Sequence, residues 1–310
     1  MNKEIIFLQP VLVETLWGGD RLKEFNYTLQ SNHVGECWAV SAHKKGDNLV
    51  LSDKYKGLTL SQLYNEHRDI FGNISYEEFP LLTKIIDAKE DLSVQVHPND
   101  EYAMKTENSK YGKTECWYII DAKSDAKIII GHNASSKTEL KEMINKGEWN
   151  NFLREVSVKK GDFFFIPAGT VHAIKGGTLI LETQQSSDIT YRVYDYDRLQ
   201  NGKPRELHIK QSIDVIDAPF INQPTPLCPQ KTKNNNLTQL CSCDLFSVWK
   251  ADVKDMLELE QDQNFMIISV IKGSGLVDDY PINKGAHFII PFNYGKVVFK
   301  GNFELIISSC

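Results

Sequence analysis

Gly161-Asp-Phe-Phe-Phe-Ile-Pro167-Ala-Gly169-Thr-Val-His172 is the stretch on which the fold reading turns. A glycine turn leads into a short apolar run, a Pro-Ala-Gly turn ends it, and one histidine follows. An apolar run this short, bounded by Gly and Pro, reads as a buried strand rather than a helix. Similar runs recur at 128–130, 178–181, 267–271 and 287–291, separated by Gly, Asp and Asn turns. Many short strands predict a mainly β chain, built as sandwiches or barrels. Two stretches read as helical insertions, at about 58–72 and 136–153. The first spaces its apolar residues near i, i+3 and i+7, and the second opens on Ser136-Lys-Thr-Glu139, a capping-box pattern.

Pro219, Pro224, Pro226 and Pro229, followed by Lys-Thr-Lys-Asn-Asn-Asn, have linker composition. They divide the chain into a larger unit, 1–225, and a smaller one, 226–310. Gly285-Ala-His-Phe-Ile-Ile-Pro291 echoes Gly161 to Pro167 as Gly, five residues, Pro, which points to two related β units. The second unit has no histidine after its turn, and His287 sits inside the strand, out of register with a ligand, so this unit is expected to hold no metal.

The length of 310 residues, with 41% hydrophobic and 25% charged side chains, fits a globular chain with a substantial core. A formal charge of −6 argues against a general nucleic-acid binder, which needs a basic surface. No apolar run approaches the roughly 18 residues of a membrane span. The opening Met1-Asn-Lys-Glu-Ile-Ile-Phe-Leu8 is too short for a secretory signal and is broken by Gln9 and Pro10. A cytoplasmic protein with free thiols is therefore expected. Its six cysteines form no CxxC pair, and Cys241-Ser-Cys243 lacks a partner pair for a metal.

Polar chemistry collects in a few segments. In Leu92-Ser-Val-Gln-Val-His97 strict alternation puts Leu92, Val94 and Val96 on one strand face and Ser93, Gln95 and His97 on the other. In Gly112-Lys-Thr-Glu115-Cys-Trp117 the same alternation groups Lys113, Glu115 and Trp117. With His172, these supply two imidazoles, a carboxylate and an amide, a mixed N/O set suited to a borderline divalent ion with a position left open. A further segment, Leu181 to Arg198, would align Glu182, Asp188, Arg192 and Arg198 if it were extended throughout.

Gly161, Pro167, Gly169 and His172 match the second cupin motif, and Gln95-Val-His97 stands where cupins usually carry His-x-His. Gln-x-His-Pro, a downstream Lys-x-Glu and a Ser-Asp-x3-Arg segment together resemble the type I phosphomannose isomerases, in their short bacterial form. The resemblance extends from Leu16-Trp-Gly-Gly19 and Gly35-Glu-Cys-Trp38 through Arg198. It implies two cupin jelly-roll domains and one divalent ion per chain, with zinc the usual metal. The implied metal ligands are Gln95, His97, Glu115 and His172. The implied pocket residues are Lys113, Glu182, Asp188 and Arg192, and Ser93 and Arg198 fall at the phosphate. Lys84 is a further candidate to add positive field there. Longer family members carry Asn-His-Lys-Pro-Glu where this chain has Lys110-Tyr-Gly-Lys-Thr-Glu115, and much of their helical domain is missing here.

The implied reaction is aldose–ketose isomerisation of mannose 6-phosphate and fructose 6-phosphate, on a monomer or homodimer. It needs a proton carrier between neighbouring carbons, an electrophile at the developing oxyanion and a grip on the phosphate. Glu182, Lys113 and Asp188 are the candidate proton carriers, and Arg192 is expected to steady the enediolate. Two rival readings are an iron-dependent cupin dioxygenase and a non-catalytic metal- or sugar-binding cupin. Gln95 as a fourth ligand argues against the first, because it occupies a position oxygen needs. A convergence of Lys113, Glu182 and Arg192 would argue against the second.

Overall fold

The computed structural model describes residues 4–222 and 237–310, so the boundary expected at 225/226 and Cys228 lie outside the described residues. The chain is mainly β. A six-stranded antiparallel sheet runs in the order Phe163–Ile166, Glu115–Ala122, Thr178–Gln185, Leu81–Ala88, Val11–Gly19, Val34–Val40. Against it lies a five-stranded sheet ordered Tyr191–Tyr194, Val94–Val96, His172–Ile174, Lys127–His132, Leu153–Ser157. Trp117, Ile119, Ile128, Ile166, Ile174 and Ile180 fill one end of the space between them. The opposite face of the smaller sheet, with Val94, Val96, Val171 and Val193, is covered by Leu140, Ile144 and Ile216.

Local sequence explains the turn that delivers His172. Gly169 has φ of +85°, and a Cβ there would lie 2.6 Å from the Asp217 carboxylate, so only glycine fits. The two echo segments share geometry as well as sequence. Gly161 and Gly285 take φ of +90° and +93° and precede the strands Phe163–Ile166 and His287–Ile290.

Both predicted insertions contain helix. The first forms Leu60–Glu66 and a 3-10 turn Arg68–Phe71, and the second forms Lys137–Lys146 and Trp149–Phe152. At the second, the Ser136 hydroxyl accepts from the Glu139 N–H, but the Glu139 carboxylate accepts from Ser135 instead of closing the box. The reciprocal box forms at Thr59 and Gln62, ahead of the first helix. Short helices at Asp100–Glu107 and Ile209–Val215 carry no comparable sequence signal. Among the described residues no helix is long and apolar enough to cross a membrane.

The C-terminal strands form one extended sheet, and the N-terminal segment joins it. Ile6–Gln9 pairs with His287–Ile290 on one side and Leu49–Val50 on the other. This unit packs on the outer face of the six-stranded sheet. Cys37, Ile85, Cys116 and Leu181 from the sheet share a buried core with Phe246, Ile267 and Ile306.

A buried polar chain crosses this interface. The Tyr27 hydroxyl lies 2.7 Å from His287 Nε2, and His287 Nδ1 lies 2.9 Å from the Ser269 hydroxyl. His287 is thus a structural residue, and burial pushes its pKa down to about 3. In the unfolded chain it would titrate near 6.5. Below that pH the unfolded state takes up a proton that the folded state refuses. The stability contribution is therefore complete above pH 6.5 and is lost as pH falls towards about 3, at up to ~1.4 kcal/mol per pH unit. Urea unfolding of the wild type and of His287→Gln between pH 4 and 7 is expected to show a shallower pH slope in the variant.

Candidate metal and substrate site

Registry across the smaller sheet places three of the predicted residues side by side. His172 is opposite Gln95, and Gln95 is opposite Arg192, so the three side chains share the face turned towards the larger sheet. Ser93 and His97 alternate onto that face from the same strand region. On the larger sheet, Trp117 is opposite Glu182, Glu182 opposite Lys84, and Lys84 opposite Trp38. Glu115 lies two residues from Trp117 on the same face. The space between the sheets is apolar at one end and lined by titratable groups at the other.

His97, Glu115 and His172 converge there, fully buried, with their ligand atoms within 4.8 Å of one another. His97 Nε2 is 3.5 Å and His172 Nε2 is 3.3 Å from the Glu115 oxygens. Each imidazole is oriented by a backbone carbonyl. His97 Nδ1 is 2.8 Å from the Ile189 oxygen and His172 Nδ1 is 2.9 Å from the Thr170 oxygen. A carbonyl only accepts, so each Nδ1 carries the proton and each Nε2 presents a lone pair to the site, that of His97 within reach of Lys113 Nζ. Both Glu115 oxygens and His172 Nε2 are buried without a hydrogen-bond partner. Leaving such atoms unpaired is expensive, and a cation held between them removes that cost. The donor set therefore fits a divalent metal.

Electrostatics agrees. Burial, then Lys113 and the other imidazole, hold His97 well below its usual pKa, and burial takes His172 to about 4. Both rings stay neutral, the state a metal ligand needs. Burial raises the Glu115 carboxyl. Lys113 Nζ lies 3.2 Å from His97 Nε2 and 3.4 Å from Glu115. It reaches the site from the loop before the strand rather than from a strand position.

Lys84 is buried, with Nζ 3.6 Å from Glu36 and 3.7 Å from Glu182. Burial works against its charge, yet Glu36, Glu182 and Glu115 together raise its pKa. Glu182 accepts from Trp117 Nε1 at 2.9 Å through one oxygen, and its other oxygen, Oε1, is buried and without a hydrogen bond. Burial, then the neighbouring Glu115, raise its pKa. Glu36, which also accepts from Trp38 Nε1 at 2.6 Å, was not among the predicted residues. Its signal was there: it alternates with Trp38 on one strand.

The single extended row predicted for 182–198 does not form. The strand ends at Gln185, the chain crosses to the other sheet, and a new strand begins at Tyr191. Glu182 and Arg192 thus approach the cleft from opposite sheets. Asp188 sits in the crossover, paired with Lys45 and 3.6 Å from His43 Nε2. Those partners, His43 foremost, hold its carboxyl well below the usual range. It borders a cavity of about 670 Å³ lined also by His43, Lys44, Tyr111 and Ile189. Arg198 lies on the other side of Arg192, its guanidinium bonded to the Asp91 carbonyl two residues before Ser93. Asp195 and Arg205, also outside the predicted set, join it there.

Comparisons with known proteins point to one family. Residues 5–115 match the family described as phosphomannose isomerase type I, catalytic domain, and residues 236–310 match that described as mannose-6-phosphate isomerase, cupin domain. The chain is 50% identical to mannose-6-phosphate isomerase ManA of Bacillus subtilis over 99% of both chains. It is 46% identical to mannose-6-phosphate isomerase of Streptococcus mutans over 98% of both. The crystal structure of the Bacillus subtilis mannose 6-phosphate isomerase superposes with a TM-score of 0.95 at 47% identity, covering 99% of this chain and 100% of that one. A zinc-bound mannose 6-phosphate isomerase shares the fold at a TM-score of 0.79 and 16% identity, covering 98% of this chain and 99% of that one.

Proposed function

The chain belongs to the type I phosphomannose isomerases, and we propose how its cleft residues divide the interconversion of mannose 6-phosphate and fructose 6-phosphate. Gln95, His97, Glu115 and His172 hold one divalent ion, and zinc suits this donor set. When bound, the ion supplies Lewis acidity towards the oxygens at C1 and C2 of the sugar. Three buried or half-buried carboxylates, Glu36, Glu115 and Glu182, are matched by Lys84, Lys113 and, from the opposite sheet, Arg192, so a bound dication would give the cleft a net positive charge suited to an anionic sugar. Gln95 ligates without adding negative charge, which keeps the site electrophilic.

Glu182 is the proton carrier. Its Oε1, which makes no hydrogen bond and has only the Lys84 ammonium at 3.7 Å, and its raised pKa suit a group that takes the proton from C2 and returns it at C1. Lys113 and Lys84 hold the oxygens on which charge develops. Arg192, too basic to shuttle protons, steadies the enediolate. Asp188, bound to Lys45 and His43, holds the crossover loop whose next residue, Ile189, orients His97. Ser93 and Arg198 take the phosphate. The substrate is a dianion that does not cross a bilayer unaided, so the enzyme acts in the cytoplasm.

The observation that carries this reading is the set of buried ligand atoms on Glu115 and His172 that make no hydrogen bond, near a Glu182 Oε1 that also makes none. The test is turnover of mannose 6-phosphate, detected as fructose 6-phosphate, by chelated protein and again after adding back zinc, manganese, cobalt or iron. Metal-restored turnover is expected, with Arg192→Ala losing activity while keeping metal and fold. A folded, metal-loaded protein inactive with every ion would overturn the reading.

A further inference from the structure

A side-chain cluster that extends beyond Arg198, already placed at the phosphate, lies at the base of a small hairpin, Leu199–Gln200 with Lys203–Pro204. An arginine stands at each foot, Arg198 before the hairpin and Arg205 after it. Both bind one carboxylate. Arg205 Nε donates to Asp195 Oδ2 at 2.7 Å, with its Nη2 on Oδ1, and Arg198 Nη2 donates to the same Oδ1 at 2.6 Å. The Asp195 side chain is 5% exposed, against 20% for Arg198 and 17% for Arg205. Tyr196 and Asp197 both take left-handed φ, 56° and 54°, and this turn brings Arg198 back onto Asp195. Left-handed non-glycine residues in succession are strained, and such strain persists where the surroundings impose it.

The same feet are tied to the catalytic strand. Arg192 Nη1 donates to the Glu206 carbonyl at 2.8 Å, and the His208 N–H donates to the Arg192 carbonyl at 2.8 Å. Arg192 Nε is buried with no acceptor. Burial, then Arg205 and Arg198, lower the Arg192 pKa, so the three guanidinium groups are close enough to repel one another. Asp195 and Glu206 offset two of the three positive charges, which leaves one in excess. That excess, with an unused donor, suits a dianion.

We propose that Asp195 is a positioning residue that presents Arg198 and Arg205 together as a fork for the substrate phosphate, and that Arg205 is itself a phosphate-contacting side chain. The identification of the dianion as a sugar phosphate rests on the isomerase reading above. The two arginines are held by a shared carboxylate, so less side-chain freedom is lost when phosphate binds than for two independent cations.

The test uses full-length, metal-loaded protein. Arg205→Ala is expected to raise KM for mannose 6-phosphate, and Ki for inorganic phosphate as a competitive inhibitor, by about tenfold to a hundredfold. The larger share of the loss falls in KM rather than kcat, and metal content is retained. Arg205→Lys, which keeps the charge but loses the fork, is expected to fall between Arg205→Ala and the wild type. Asp195→Asn separates geometry from charge. It adds one net positive charge to the cluster, so a purely electrostatic role predicts tighter phosphate binding, whereas positioning predicts a higher KM and Ki. KM and Ki within twofold of wild type in Arg205→Ala, or a lower Ki in Asp195→Asn, would overturn the proposal. If Asp195→Asn does not fold, the two Arg205 variants decide it. Calorimetric binding of inorganic phosphate to the wild type and Arg205→Ala needs no turnover. An inactive wild type would therefore sink the isomerase reading while leaving the clamp to be judged on phosphate binding alone.

Discussion

Replacing Glu182 with Gln is expected to lower kcat by about 10²- to 10⁴-fold, the usual range for losing a positioned general base. The substitution is nearly isosteric. A carboxamide oxygen still accepts from Trp117 Nε1, and Lys84 keeps Glu36 at 3.6 Å as a counterion. Metal content and thermal stability should therefore stay close to wild type, which isolates the chemical loss. The pH profile supplies a second readout. Burial and the nearby Glu115 raise the Glu182 carboxyl above its ordinary value near 4.5. The base acts deprotonated, so kcat/KM of the wild type should rise with pH through an apparent pKa above 4.5, and the variant should lose that limb. A Glu182→Gln enzyme that keeps more than about a tenth of wild-type kcat would move the proton carrier to Lys113.

Loss of Glu115 is expected to have the next largest effect. Glu115→Gln keeps volume but removes the only carboxylate among the proposed ligands. Chelator competition should show metal affinity reduced by at least about a hundredfold, since even residues that merely orient a ligand are worth 10- to 100-fold. Stability gives a readout independent of turnover. In the wild type, zinc binds the folded state and should raise Tm with concentration. It also pairs the buried Glu115 oxygens and His172 Nε2, which otherwise lack hydrogen bonds. In Glu115→Gln this metal-dependent rise in Tm should largely disappear. A variant that still shows the wild-type rise would place the ion elsewhere.

Much of this site was readable from strand alternation. Ser93, Gln95 and His97 face one way because side chains in a strand alternate, and the structure turns that face onto the cleft. Glu115 and Trp117 behave the same way. His172 was readable because the Pro-Ala-Gly turn before it has few conformations open to it, and Gly169 takes the left-handed one. Alternation misled where the strand stopped. Extending the Glu182 row to Arg192 assumed one continuous strand, but the chain changes sheets after Gln185. The burial of Lys84 was not legible, since nothing local announces that its strand is buried on both faces.

By itself the sequence determined the β architecture, the helix in both insertions, the matching turns at Gly161 and Gly285, and the residue types of the candidate metal set. These follow from short-range physics: side-chain period, turn geometry and ligand chemistry. Only the tertiary structure decided which partners each charge has. Asp188 answers to His43 and Lys45, Glu182 to Trp117 and Lys84, and Asp195 to Arg198 and Arg205. It also decided that the chain's first described strand completes the C-terminal sheet, pairing Ile6 with Ile289. Most of these pairings join segments brought together by folding, and Coulomb interactions and burial depend on distance in space rather than along the chain.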